Sequence, residues 1–279
     1  DLKNRLDSDR RCYAFFHPAM EGEPLIFVEV ALVKGLADNV HALLDQKAPV
    51  LDPTQTDTAI FYSISNCQRG LSGISFGNFL IKQVVDRLSA EFRNLKAFAT
   101  LSPIPGFRRW IGEKLVPGDR LLTEDEDSAL AEALAAQGEA AVEEAPPLVR
   151  LLARRGWHRD AALAEAARPV LTRLCARYLL AESDGRGRSR DPVAHFHMTN
   201  GARAERLNWL ADTSDKGIKE SAGLMVNYLY DRDAIETNRE AYVGEGRIFN
   251  SDFLDGLEVE AAKAEAIARV EAAGQGKGA

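Results

Sequence analysis

The sequence predicts an α/β domain that carries a helical insertion, and three observations point there. Residues 58–101 read as strand, glycine turn, periodic helix and strand, a βαβ unit whose two strands should run parallel. Residues 124–181 are rich in alanine and glutamate at helical spacing. After that block, β-branched and aromatic runs return at 192–198 and 223–230.

The elements follow in order. Cys12–Phe16 and Leu25–Leu32 read as strands joined by the turn-rich Met20-Glu21-Gly22-Glu23-Pro24. His17, before Pro18, caps the first strand and reads as structural. Residues 36–45 suggest a short helix and 52–57 a polar loop. Thr58–Ser65 is a third strand, β-branched and aromatic. The glycine turn Gln68–Gly77 opens a helix over 79–92, with Ile81, Val84, Val85, Leu88 and Phe92 on one stripe. Lys96–Leu101 is a fourth strand. Between Thr123 and Ala145 stand Glu124, Asp125, Glu126, Asp127, Glu132, Glu139, Glu143 and Glu144 without a Lys or Arg, a solvated helical face by default. Pro146-Pro147 breaks it, and helices resume at 148–155 and 158–181, the second interrupted at Pro169. Gly185–Arg190 is a basic loop. Strands are expected at 192–198 and 223–230, with a helix over 201–211 between them. The tail 258–279 is alanine-rich and expected to fray.

Composition narrows the function. At 279 residues, with 46% hydrophobic and 28% charged residues, the chain can build one large core or two smaller ones. A net charge of −7 argues against a nucleic-acid partner. No run approaches the roughly 18 apolar residues that would cross a membrane, and no secretory signal is seen at the start. Cys12, Cys67 and Cys175 are odd in number and widely spaced, which fits a reducing compartment and neither a disulfide framework nor zinc. Cys67, beside the glycine turn, reads as reactive or as a plain small residue. The start at Asp1, in a charged run without methionine, is expected to be a cut in something longer.

Three constellations could carry chemistry. In Leu101-Ser102-Pro103-Ile104-Pro105, the prolines hold Ser102 out of helix and present one hydroxyl on a stiff backbone. The turn at 70–78 offers backbone N–H groups and a helix N-terminus to a phosphate, or is simply a tight strand-to-helix connection. It has no Walker lysine and no GxGxxG, so nucleoside triphosphates and nicotinamide dinucleotides are poorly supported. His195 and His197 would face the same side of a predicted strand, as a metal pair, a single catalytic histidine or structural residues. Tyr228 and Tyr230 likewise share a strand face, which core packing alone could explain. Together the turn and the serine suggest a site for a phosphate-bearing acyl carrier with a hydroxyl beside its reactive end.

Six motifs in order resemble the malonyl-CoA decarboxylase family: Phe61-Tyr62-Ser63-Ile64-Ser65, Gly73 with Gly77-Asn78-Phe79-Leu80-Ile81-Lys82, Leu101–Phe107, Phe196-His197-Met198-Thr199-Asn200-Gly201-Ala202, Asn208-Trp209-Leu210-Ala211-Asp212 and Gly223–Tyr228. The resemblance runs from about Arg11 to Phe253. It implies a catalytic domain over 1–279 with an acetyltransferase-like (GNAT) fold, a mixed sheet with flanking helices. Residues 124–181 would be the helical insertion, and the family's N-terminal helical domain would be absent. Malonyl-CoA would be the substrate, bound by Ser72, Gly73, Ile74, Ser75, Phe76, Gly77 and Asn78 together with Ser102 and His197. The family's catalytic serine, a proton acceptor, would fall on Ser102 and its catalytic histidine on His197; the Ser102 hydroxyl could equally orient the carboxylate or pass a proton to His197. His197, with a pKa near the usual 6.5 or so, is expected to be the proton donor at C2. Tyr230 would support them. His195 stands where animal members carry asparagine. Arg69, Lys82, Arg108, Arg109 and Lys114 are candidates to reach the CoA phosphates.

No cofactor or metal is expected, coenzyme A being part of the substrate. A cytoplasmic protein is expected, without nucleic-acid or membrane partners, and a homo-oligomer when the full-length chain is present. Two other functions remain open: an acyltransferase on the same fold, and a silent acyl-CoA-binding module.

Overall fold

The computed structural model describes residues 6–20, 22–67, 77–115, 121–138, 145–185 and 187–275. Within them the strands are β1 (Arg10–Phe16), β2 (Pro24–Val33), β3 (Thr58–Asn66), β4 (Ala97–Thr100), β5 (Ser102–Pro103), β6 (Arg203–Asn208) and β7 (Met225–Leu229). They form one mixed sheet in the order β1-β2-β3-β4-β7-β5, with β6 also paired to β7. The β3/β4 pair is parallel and the others are antiparallel. The crossover between β3 and β4 is helix α2 (Gly77–Glu91), as a parallel pair requires.

Alternation along each strand separates two cores. Val30, Leu32, Ala59, Phe61, Phe98, Val226 and Tyr228 face the larger one, against Ile81, Val84, Val85 and Leu88 of α2. Ala31, Ile60, Ala99 and Met225 face a smaller core, closed by Leu43 and Ala211. Leu43 ends α1 (Val40–Leu43), shorter than the helix expected over 36–45 and started by the Asn39 side chain.

One irregularity shapes the molecule. Glu29 pairs with Ser63 but Val30 with Phe61, so Tyr62 is an extra residue in β3. A bulge of this kind bends its strand and increases the local twist. The parallel pairing with β4 stops at Phe61 and Thr100, next to that bulge. From there β3 runs on to Asn66 while the segment after β4 turns into Ser102-Pro103, and a cleft opens where the two part.

Helices α3 (Phe107–Lys114), α4 (Glu124–Ala136), α5 (Pro147–Ala153) and α6 (Ala161–Leu180) follow. Thr123 and Glu126 close a reciprocal capping box at the start of α4. Glu126 also takes two bonds from the buried Arg173 guanidinium, at 2.8 and 2.7 Å, so the acidic run is not wholly a solvated face. Glu124, Asp125 and Glu132 are exposed, while Leu130 and Leu134 are buried against the core. Helix α6 runs through Pro169 without a break. The lost bond and ring clash cost about 3 kcal/mol, and burial of Leu163, Ala167, Val170, Leu171 and Leu174 offsets it.

Three further expectations need correction. Residues 192–198 are not a strand but helix α7 (Pro192–Thr199). Asp191 caps it by accepting from Val193 N and Ala194 N, both at 3.0 Å, and Pro192 supplies a preset φ at the first helical position. The helix expected over 201–211 is β6, its alanine and arginine content overruled by pairing with β7. The tail is helical up to Gln275, as part of α10 (Asp252–Gln275), after α8 (Asp215–Ser221) and α9 (Ile235–Glu245).

Candidate active site

The cleft beside the Tyr62 bulge is a cavity of about 320 Å³ with an apolar wall that includes Phe61, Ile64, Leu101, Val193 and Phe196. Ser102 and His197 line it too. A second hollow of about 410 Å³ shares the lining residues Tyr62 and Ser63 but lies among Asp7, Asp9 and Glu29, and contains neither Ser102 nor His197.

Ser102 reaches the cleft because β5 is only two residues long and Pro103 ends it. Its hydroxyl donates to Thr100 Oγ1 at 2.8 Å and lies 3.1 Å from His197 Nε2. His197 comes from the last turn of α7, with Nδ1 2.7 Å from Tyr230 Oη. The Tyr228 ring stacks on the imidazole at 4.6 Å and 24°. Burial pushes the His197 pKa down to about 3, below the value near 6.5 expected from the sequence, so the imidazole of the free protein is neutral at neutral pH. The same desolvation pushes both tyrosine hydroxyls well up.

A buried carboxylate braces the pair. Asp191 caps the helix that carries His197, and its other oxygen accepts from Gly106 N at 3.4 Å, in the turn that follows Ser102. Tyr178 Oη donates to that oxygen at 3.4 Å. Burial raises the Asp191 pKa, and the N–H bonds from Ala194, Gly106 and Val193 counter the rise. A Cβ on Gly106 would stand 2.1 Å from Tyr178 Oη, so only glycine lets the serine turn pack this closely.

The structure thus brings Ser102, His197 and Tyr230 together. It does not place His195 beside His197: on a helix, residues two apart project to different sides, and His195 Nδ1 lies 2.8 Å from Tyr242 Oη. Ser72, Gly73, Ile74, Ser75 and Phe76 lie outside the described residues, as does Arg69; Gly77 and Asn78 open α2. The other cationic candidates have partners within the chain. Lys82 pairs with Glu236 at 2.8 Å, Arg109 with Glu113 at 3.6 Å and Lys114 with Glu182 at 3.5 Å. Arg108 donates to the carbonyls of Ile218 and Leu152. Cys67 is exposed, with Sγ 3.8 Å from Ser65 O. Among the described residues no helix is long and apolar enough to cross a membrane.

Sequence reasoning missed Thr100, Asp191 and the Tyr62 bulge. The Asp-Pro pair at 191–192 was a legible helix start. The roles of Thr100 and Tyr62 depend on which strands lie beside them, and no local pattern carries that.

Comparison with known proteins gives a consistent result. The chain matches the family model of the malonyl-CoA decarboxylase C-terminal domain over residues 1–268. It is 40% identical over 260 residues to the mitochondrial malonyl-CoA decarboxylase of Anser anser anser, covering 90% of this chain and 50% of that protein. The chain therefore spans about half the length of the curated relatives it matches. The crystal structure of malonyl-CoA decarboxylase from Rhodopseudomonas palustris superposes with a TM-score of 0.81 at 44% identity, covering 92% of this chain and 55% of that one. A shorter match, 80% identical over 41 residues, joins 15% of this chain to 5% of the leucine–tRNA ligase of Caulobacter vibrioides. So small a share of that protein assigns none of its chemistry here.

Proposed function

The chain belongs to the malonyl-CoA decarboxylase family, and on that premise we propose that it converts malonyl-CoA to acetyl-CoA and carbon dioxide. The observation that carries this is the Ser102–His197 contact of 3.1 Å at the wall of an apolar cleft. In this reaction the C–CO₂ bond breaks and its electron pair moves into the thioester carbonyl, giving an enolate. C2 then takes a proton and carbon dioxide leaves. The thioester is the electron sink, so the route calls for no pyridoxal, thiamine or metal.

The residues have definable parts in this. The apolar wall strips water from the carboxylate and favours the transition state, in which its charge is dispersed. Each preorganised donor at the developing oxyanion is worth about 3–4 kcal/mol. An anion next to a neutral imidazole raises its proton affinity, so the bound carboxylate or enolate lifts the His197 pKa from about 3 toward the working range. His197 then acts as proton donor at C2. Ser102 accepts a hydrogen bond from the same imidazole, at Nε2, and Tyr230 holds the opposite nitrogen. Coenzyme A is bound by the segment Ser72–Asn78. Gly77 opens α2, whose positive end favours a phosphate.

The parting of two parallel strands at a bulge supports the acetyltransferase-like (GNAT) description of the sheet. The same reading places the protein in the cytoplasm, where three free cysteines fit a reducing environment, and expects a homo-oligomer for the longer chain. Cell fractionation and sedimentation test those two points.

The activity is tested by giving the purified protein malonyl-CoA with no acyl acceptor and analysing the products by mass spectrometry. Acetyl-CoA and carbon dioxide in equal amounts are the expected result. Activity that appears only with an added amine would instead mean an acyltransferase, and binding without conversion a silent acyl-CoA module.

A further inference from the structure

The interval between Ala99 and Ser102 holds a break in the sheet. Ala99 faces Leu229 in the β4/β7 pairing and Ser102 faces Val226 in the β5/β7 pairing. The two pairings share one register, which leaves Thr100 and Leu101 opposite Tyr228 and Asn227. In this gap Tyr228 N donates to the Thr100 side chain, at 3.1 Å to Oγ1. The Thr100 carbonyl accepts from the Asn227 side chain at 2.7 Å. Thr100 is completely buried.

Thr100 Oγ1 therefore takes two hydrogen bonds, one from the Tyr228 amide and one from the Ser102 hydroxyl at 2.8 Å. A hydroxyl has one proton to give. With its proton directed at Thr100, Ser102 can only accept from His197. The His197 imidazole, neutral through burial, must then carry its hydrogen on Nε2, and Nδ1 accepts from Tyr230 O–H at 2.7 Å. The chain of bonds runs one way, from Tyr230 through His197 and Ser102 to Thr100.

We propose that Thr100 is a positioning residue that sets this direction: its side-chain oxygen, turned into the gap in the ladder, holds the Ser102 proton away from His197 and so selects the Nε2–H form of the imidazole. The proposal builds on the assignment of Ser102 and His197 to the reaction. It adds that their resting proton order is imposed by a residue of the sheet with no place in the cavity wall.

The test is the ¹⁵N NMR signature of the His197 ring, assigned by its loss in His197→Asn. The unsubstituted protein should show Nε2–H. Thr100→Val keeps the shape but removes the acceptor, so the Ser102 hydroxyl should turn to Nε2 and the ring should convert to Nδ1–H. The kcat of that variant should fall by about tenfold to a hundredfold, with KM changed by no more than about twofold. Thr100→Ser should restore both the tautomer and the rate. An Nδ1–H ring in the unsubstituted protein overturns the proposal, and this measurement does not depend on any variant folding. A folded Thr100→Val protein with unchanged tautomer and kcat overturns it as well. If the protein fails to decarboxylate malonyl-CoA at all, the activity reading falls while the tautomer result still stands.

Discussion

Ser102 Oγ lies 3.1 Å from His197 Nε2 although 95 positions separate the two residues. The contact depends on a two-residue strand that ends at proline and on a helix started by Asp-Pro. Both segments are tied to the Asp191 carboxylate, which accepts from Gly106 N and from the first turn of α7. One buried group thus holds the serine turn and the histidine helix in a common frame.

Replacing His197 by Asn should lower kcat by about a hundredfold or more, the range for loss of a general acid, while malonyl-CoA affinity stays near its starting value. Steady-state kinetics with an isothermal binding measurement checks this, and unchanged turnover removes the imidazole from the reaction.

Ser102→Ala should depress the rate more than the affinity, by about tenfold to a thousandfold in kcat. A change confined to KM would mean that the hydroxyl only helps hold the substrate.

Stability should depend on pH through His197. Its pKa is near 3 in the folded protein and about 6.5 in the unfolded chain, so the unfolded chain takes up the proton first as pH falls. The full stability is present above about pH 6.5 and declines below it, by about 2 kcal/mol between pH 7 and pH 5. Urea unfolding at the two pH values should show a smaller decline in His197→Asn; equal declines would contradict the burial of this ring.

Asp191→Ala removes a helix cap and the acceptor for Gly106 N, and should cost about 1–3 kcal/mol. Turnover should fall as well, because the serine and histidine segments lose their common anchor. Asp191→Asn keeps the cap and should lose less of both. Chemical denaturation and kinetics on the pair of variants separate the two effects.

Gly106→Ala pushes a methyl group against Tyr178 Oη and should destabilise by about 1–3 kcal/mol. Adding Tyr178→Phe removes that oxygen and should return part of the loss. Thermal unfolding of the single and double variants shows whether the two positions couple.

Much of the fold was legible because it rests on local pattern. The β-branched runs at 12–16, 25–32 and 58–65 and the apolar stripe from Ile81 to Leu88 are properties of neighbouring residues, and each lies where its pattern predicts. Ser102 was legible for the same reason, since proline restrains the backbone beside it whatever the rest of the chain does. The errors fell where local pattern is ambiguous. Val193, His195 and His197 alternate like a strand, yet the Asp191 cap makes that segment helical. Arg203–Asn208 has helix-forming composition, yet the open edge of β7 takes it as a strand.

The sequence by itself determined that a stiffened hydroxyl follows a βαβ unit, that a helical block interrupts the α/β core, and which residue types were available for the site. Only the tertiary structure decided that Tyr62 bulges where the parallel strands part, that His197 rather than His195 meets Ser102, and that Thr100 receives the serine proton. Backbone preference acts between neighbours and is written in order along the chain. The distance between two side chains and the water excluded around them depend on which distant segments pack together, and that is settled only when the sheet closes.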